Sequence, residues 1–246
     1  MKTTFPILLM FLTGLTANAQ NITAKTFESD AFETSNGRLT ITFIGHATLM
    51  IEAGNQVIHV DPVSREADYS LLPKADLILI THEHGDHLDK KAIAIASGPD
   101  TKIRCSQSCK GLIDNATVLV NGEKLTIGGW DIEAVPAYNI INKRPDGLAY
   151  HPKGNGNGYI ITFGGKRFYI AGDTENIPEM GDLKNIAVAF LPMNLPYTMT
   201  PQMTALAAKS FTPAILYPYH FGETNPKLLT DLLKDTPIEV RIRKLK

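Results

Sequence analysis

The chain has 246 residues, 43% of them hydrophobic, the content of an ordinary globular protein with enough apolar side chains for a sizeable core. Its 24 basic residues are offset by 25 acidic ones, for a formal net charge of −1. With no basic block there is no electrostatic footprint for nucleic acid, which argues against a nuclease.

The first twenty residues stand apart. Lys2 supplies a minimal positive start, residues 5–15 an apolar core, and Ala17-Asn18-Ala19 a small-residue cleavage signature. The apolar stretch is short for a membrane span, and no cysteine near the cut could carry a lipid. The expectation is a signal peptide over residues 1–19 and a mature protein from Gln20, periplasmic or secreted. An uncleaved anchor is the alternative. Roughly 225 residues then remain, enough for one α/β domain, with no second membrane-span candidate, linker or low-complexity tract.

Strands lead. Residues 40–44, 48–53 and 56–60 read as a meander, with Gly54-Asn55 as a hairpin turn. Residues 75–80 form an apolar strand, and 89–96 a helix with Asp89 as its cap. Short strands are expected near 102–105, 117–120, 123–127 and 130–135, with a short helix over 106–113. Cys105 and Cys109 stand four apart beside and within that helix, poorly shaped for a disulfide across one turn. They read as buried thiols, since zinc ligation would need a second cysteine pair. Strands 159–163 and 167–171 pair across Gly164-Gly165. Strand 188–191, a helix near 200–210, strand 214–217, a helix near 225–234 and a closing strand 237–242 follow.

The chemistry is concentrated after strand 75–80, in Thr81-His82-Glu83-His84-Gly85-Asp86-His87. Imidazole and carboxylate are the ligands of zinc in catalytic sites that keep a position open for water. His82 and His84 can point the same way from extended backbone. Asp86 and His87, past a glycine, can turn toward a second ion. Asp173 follows strand 167–171 and His220 follows strand 214–217, and ligands gathered at strand ends are typical of α/β sites.

In these residues the chain resembles the metallo-β-lactamase fold superfamily: Asp61 after strand 56–60, the His82/His84/Asp86/His87 cluster, Asp173 in Ala-Gly-Asp-Thr, and His220, in matching order from about Leu39 onward. It is most similar to the branch containing L-ascorbate-6-phosphate lactonase and N-acyl-phosphatidylethanolamine phospholipase D. Ile44-Gly45-His46-Ala47-Thr48, Val135-Pro136-Ala137-Tyr138-Asn139, His151-Pro152-Lys153-Gly154 and Pro192-Met193-Asn194-Leu195-Pro196-Tyr197-Thr198-Met199 carry that likeness. The resemblance implies an α/β fold, a four-layer αββα sandwich, and two Zn²⁺ per chain. Asp173 would bridge them, and Asp86 would both ligate and orient a metal-activated hydroxide. His46, the branch's extra histidine, is expected to support the metals or touch substrate. Asp61 is expected to act through hydrogen bonds, and His59, one residue earlier, to face the other way.

One element departs from the superfamily. The third histidine of the first metal is usually found between the cluster and the Gly-Asp-Thr, but Pro136-Ala137-Tyr138-Asn139 contains none. His151, twelve residues beyond Asn139, is the candidate replacement. It could equally be a substrate contact or a loop histidine. The metal ligands expected are therefore His82, His84, Asp86, His87, His151, Asp173 and His220, with Asp86 and His46 catalytic. The glycine-rich run 154–158 lacks the ending of a P-loop and reads as a flexible active-site loop. Lys143, Arg144 and Lys153 beside it could meet an anionic small molecule.

The function implied is a zinc hydrolase acting on a lactone, ester or phosphodiester. A metal-binding periplasmic protein with an incomplete first site and little or no catalysis is the alternative. A dinuclear iron oxidoreductase is disfavoured by His84, where such proteins usually carry a carboxylate.

Overall fold

Apolar residues alternating with period two give each strand one face for a central core and one for an outer layer. The structure, a computed structural model, describes residues 26–246; the expected signal peptide and its cleavage point lie outside the described residues. One sheet has the order β1 (Glu28–Thr34), β2 (Gly37–Gly45), β3 (Thr48–Ala53), β4 (Gln56–Val60), β5 (Ala75–Ile80), β6 (Ser97–Cys105), β7 (Ala116–Val118). The other contains β8 (Lys124–Ile127), β9 (Trp130–Ala137), β10 (Gly156–Phe163), β11 (Lys166–Ile170), β12 (Ile186–Pro192), β13 (Ile215–Tyr219) and β14 (Glu239–Val240), each beside the next. Both follow one plan: four strands pair antiparallel and the remainder parallel.

The layers follow from the alternation. Leu39, Ile41 and Phe43 of β2 and Leu77 and Leu79 of β5 enter the core shared with the second sheet. Ile44, Ile78 and Ile80 face outward, where Ala92, Ile93 and Ala96 of helix α1 (Lys90–Ala96) cover them. In the second sheet Phe168 meets Phe32 of β1 edge-on at 5.6 Å, so it points inward. Its neighbour Tyr169 points outward onto Phe211 of helix α2 (Pro201–Phe211). Helix α3 (Lys227–Leu233) buries Leu229 and Leu233 in the same layer. The result is helix, sheet, sheet, helix, as expected. Tyr159 Oη also ties the two sheets, donating to the Ile80 carbonyl at 2.8 Å, immediately before the histidine cluster.

The structure corrects four local readings. Strand β1 was not expected, because Glu28-Ser29-Asp30-Ala31-Phe32-Glu33-Thr34 buries only Phe32 and has no apolar face. The helix over 106–113 is a single 3-10 turn, Gln107–Cys109, cut short before Gly111 at φ 76°. The closing strand shrinks to Glu239–Val240, after which Arg241 and Arg243 turn back to Asp30. The glycine run is not a flexible loop from Gly156 onward but the start of β10. A Cβ on Gly158 would lie 2.8 Å from the Ala171 carbonyl, so this glycine serves close backbone approach.

Candidate metal centre

Four strands end at one edge, and the residues after them converge. Asp61 follows β4, Thr81 and His82 follow β5, Gly172 and Asp173 follow β11, and His220 follows β13. His46 lies in the turn between β2 and β3. Three of the non-glycine residues among these leave their strands in the left-handed region: His46 at φ 52°, Asp61 at φ 45° and His220 at φ 47°. Such backbone costs a non-glycine residue about 1–3 kcal/mol and collects at functional sites.

Asp61 is buried and anchors the cluster from behind. Its Oδ1 accepts the Thr81 main-chain N–H at 2.8 Å, and its Oδ2 accepts the Thr81 hydroxyl at 2.6 Å. Oδ2 also lies 2.8 Å from His87 Nδ1, which must donate to it. That proton on Nδ1 leaves the lone pair of the neutral ring on Nε2, the atom facing Asp173 Oδ1 at 3.5 Å. His59 faces away, with Nε2 3.0 Å from the Pro73 carbonyl.

Two groups of ligand atoms result. His82 Nε2 and His151 Nε2 lie 3.1 and 3.2 Å from His84 Nδ1. Asp86 Oδ2 lies 3.2 Å from His46 Nε2 and 3.5 Å from His220 Nε2. Asp173 stands between them: its Oδ2 is 3.4 Å from both His151 Nε2 and His220 Nε2 and 3.8 Å from His82 Nε2. The structure thus brings together every ligand and catalytic candidate named from the sequence, His46 and His151 included. His46 lies among the atoms of the second group, and its Nδ1 is 3.2 Å from the Lys246 main-chain oxygen.

These atoms fit metal better than they fit one another. His87 Nε2, Asp173 Oδ1 and both ring nitrogens of His220 are buried without a hydrogen-bond partner, an expensive condition unless something else binds them. Atoms ligating one tetrahedral zinc at 2.0–2.1 Å stand about 3.3 Å apart, close to the separations seen. Electrostatics agrees. Burial opposes a proton on His82 and on His151, lowering the latter to about 4 and keeping both rings in the ligand form. Burial also opposes charge on His87, but Asp173 and Asp61 outweigh it and raise the value to about 9, the mark of a negative cage that calls for a cation. Asp86 and Asp173 are held well below the ordinary carboxylate range by the surrounding imidazoles, against the effect of burial.

Of the three side chains that could meet an anionic molecule, Arg144 and Lys153 have partners within the protein. Lys153 Nζ is 2.7 Å from Glu179, and Arg144 donates to the Tyr150 carbonyl at 2.9 Å. Cys105 and Cys109 are buried and unpaired, and burial pushes the Cys109 thiol up to about 12. Asn139 and Glu175 are contacts that sequence reasoning missed: no pattern marks a residue whose role is to hold another in space.

Facing mixed sheets with imidazoles and carboxylates at the strand ends define the metallo-β-lactamase class of fold. The metallo-β-lactamase fold protein YhfI of Bacillus subtilis superposes with a TM-score of 0.66 over 84% of this chain and 96% of its own, at 15% identity. The chain belongs to the β-lactamase superfamily, whose domain model, described as a beta-lactamase superfamily domain, matches residues 40–220. It is 35% identical to a metal-dependent hydrolase of Thermococcus kodakarensis, over 76% of this chain and 86% of that one. It is 54% identical to a candidate metal-dependent hydrolase of Parabacteroides distasonis, whose crystal structure matches with a TM-score of 0.86 over 90% of this chain and all of that one.

Proposed function

We propose that the protein is a metal-dependent hydrolase that holds two zinc ions and cleaves a lactone, ester or phosphodiester in a small molecule. The convergence of buried, partnerless ligand atoms on Asp173 carries this reading, and the relatives described as metal-dependent hydrolases support it. His82, His84, His151 and Asp173 would hold one ion; Asp86, His87, His220 and Asp173 the other. When bound, such ions supply Lewis acidity and bring the pKa of water down to about 7.

The side chains do the rest. Asp86, 35% exposed where His82, His87 and Asp173 are nearly fully buried, would ligate its ion and orient the attacking water. A proton on His46 Nε2 would steady Asp86 Oδ2; in the neutral ring Nδ1 then has none to give the Lys246 main-chain oxygen 3.2 Å away. Asp61, behind His87, fixes the tautomer that directs Nε2 inward. The non-catalytic alternative rested on an incomplete first group, and the arrival of His151 Nε2 beside His84 favours the hydrolase. Residues 1–19, read as a signal peptide, would place the activity in the periplasm or outside the cell.

The test uses the leader-free protein, its metal content, and a panel of generic ester, lactone and phosphodiester substrates. Two zinc ions per chain are expected, with turnover lost on chelation and restored by zinc. Asp173→Ala should lose metal and activity together. Full turnover after complete metal removal would overturn the reading.

A further inference from the structure

Asn139 stands where the superfamily's third histidine was expected, and both polar atoms of its side chain are used. Its main-chain N–H donates to the His151 carbonyl at 2.9 Å. Its Nδ2 donates to the Tyr197 carbonyl at 2.9 Å and to Glu175 Oε1 at 3.2 Å. Its Oδ1 accepts the His151 main-chain N–H at 2.9 Å. Carbonyl and carboxylate oxygens only accept and a main-chain N–H only donates, so the amide has one possible orientation. His151 Nδ1, 2.7 Å from Oδ1, must then carry the ring proton. In the neutral ring the lone pair falls on Nε2, which faces His84 Nδ1 and Asp173 Oδ2.

Glu175 holds the segment that carries Asn139. It is buried, two residues past Asp173, and accepts three successive main-chain N–H groups: Ile140 at 2.9 Å, Ile141 at 2.8 Å and Asn142 at 2.6 Å. Its own N–H donates to the Tyr138 carbonyl at 3.0 Å. One short stretch after β11 thus presents Asp173 to the ligand atoms and pins the segment that directs His151.

We propose that Asn139 and Glu175 are positioning residues for the first ion, fixing the tautomer and place of His151 so that a histidine from a distant loop stands in for the one this chain lacks. The proposal rests on the reading that the cluster holds two ions. Without the Oδ1 acceptor the His151 ring is free to rotate or exchange tautomers, and the first group keeps only His82, His84 and the shared Asp173. Partners that orient a ligating histidine typically contribute 10–100-fold to metal affinity.

The experiment is a zinc-buffered titration of the full leader-free chain as wild type, Asn139→Ala, His151→Ala and the double variant. Thermal unfolding of the metal-free proteins checks the fold. Wild type is expected to bind two ions, and Asn139→Ala to weaken one of them by about 10–100-fold, with the metal-free midpoint close to wild type. In the His151→Ala background the Asn139 substitution should add nothing, because a residue that acts through another is not additive with it. Glu175→Gln, which turns one acceptor into a donor, should weaken the same ion. Should Asn139→Ala not fold, Asn139→Ser takes its place in the cycle. Wild-type affinity for both ions in the Asn139 variant overturns the proposal, as does an equal loss with and without His151. Fewer than two ions in wild type would instead sink the two-ion reading itself, so the two failures are told apart.

Discussion

At the scale of single residues, the centre is governed by which ring nitrogen carries a proton. Asp61 settles this for His87 from a position that touches none of the ligand atoms facing Asp173. Asp61→Asn keeps the shape, but an amide must place an NH₂ where one oxygen now accepts from Thr81 or His87. Zinc affinity is expected to fall by about 10–100-fold, measured in the same buffered titration; an unchanged affinity would show that the carboxylate is dispensable. The candidate ligands within 82–87 were visible in sequence because they sit in one run, and Asp173 and His220 because each follows an apolar strand. His151 was only half legible. Its companion Asn139 reads in sequence as a missing ligand, and the hydrogen bond that gives it a role exists only in three dimensions.

At the scale of elements, strand ends place the ligands and close backbone approach places the strand ends. β10 passes between β9 and β11, with Gly158 opposite Val135. A side chain there would press on the Ile170 and Ala171 carbonyls, at 3.0 and 2.8 Å, two to three residues before Asp173. Gly158→Ala is therefore expected to destabilise the fold by about 1–3 kcal/mol. A denaturant midpoint equal to wild type would refute the close-approach explanation. The meander of β2 to β4 was readable from alternation and from the Gly54-Asn55 turn between Ala53 and Gln56. β1 was not, because its pairing with β2 comes from main-chain bonds that leave no mark on a mostly polar sequence.

At the scale of the whole molecule, the first strand and the final residues are sewn together. Arg243 Nη2 lies 2.7 Å from Asp30 Oδ2, Tyr217 Oη donates to the same carboxylate, and the Lys244 N–H donates to Glu28 at 3.1 Å. Burial works against ionisation of Asp30, but the hydrogen bonds from Arg243 and Tyr217 prevail and hold its pKa below the ordinary value. A carboxyl whose pKa is lower folded than unfolded stabilises the protein above the unfolded value and loses that contribution as pH falls toward the folded one. The melting-temperature gap between wild type and Asp30→Asn should be widest near neutrality and close below about pH 4. A gap constant from pH 7 to 3 would mean that the ion pairs add nothing.

That seam brings the Lys246 main-chain oxygen to 3.2 Å from His46 Nδ1. Any residue joined after position 246, natural or appended, would start beside a side chain proposed to steady Asp86. A purification handle placed there would begin against His46, and a protein so tagged could be mistaken for an inactive one.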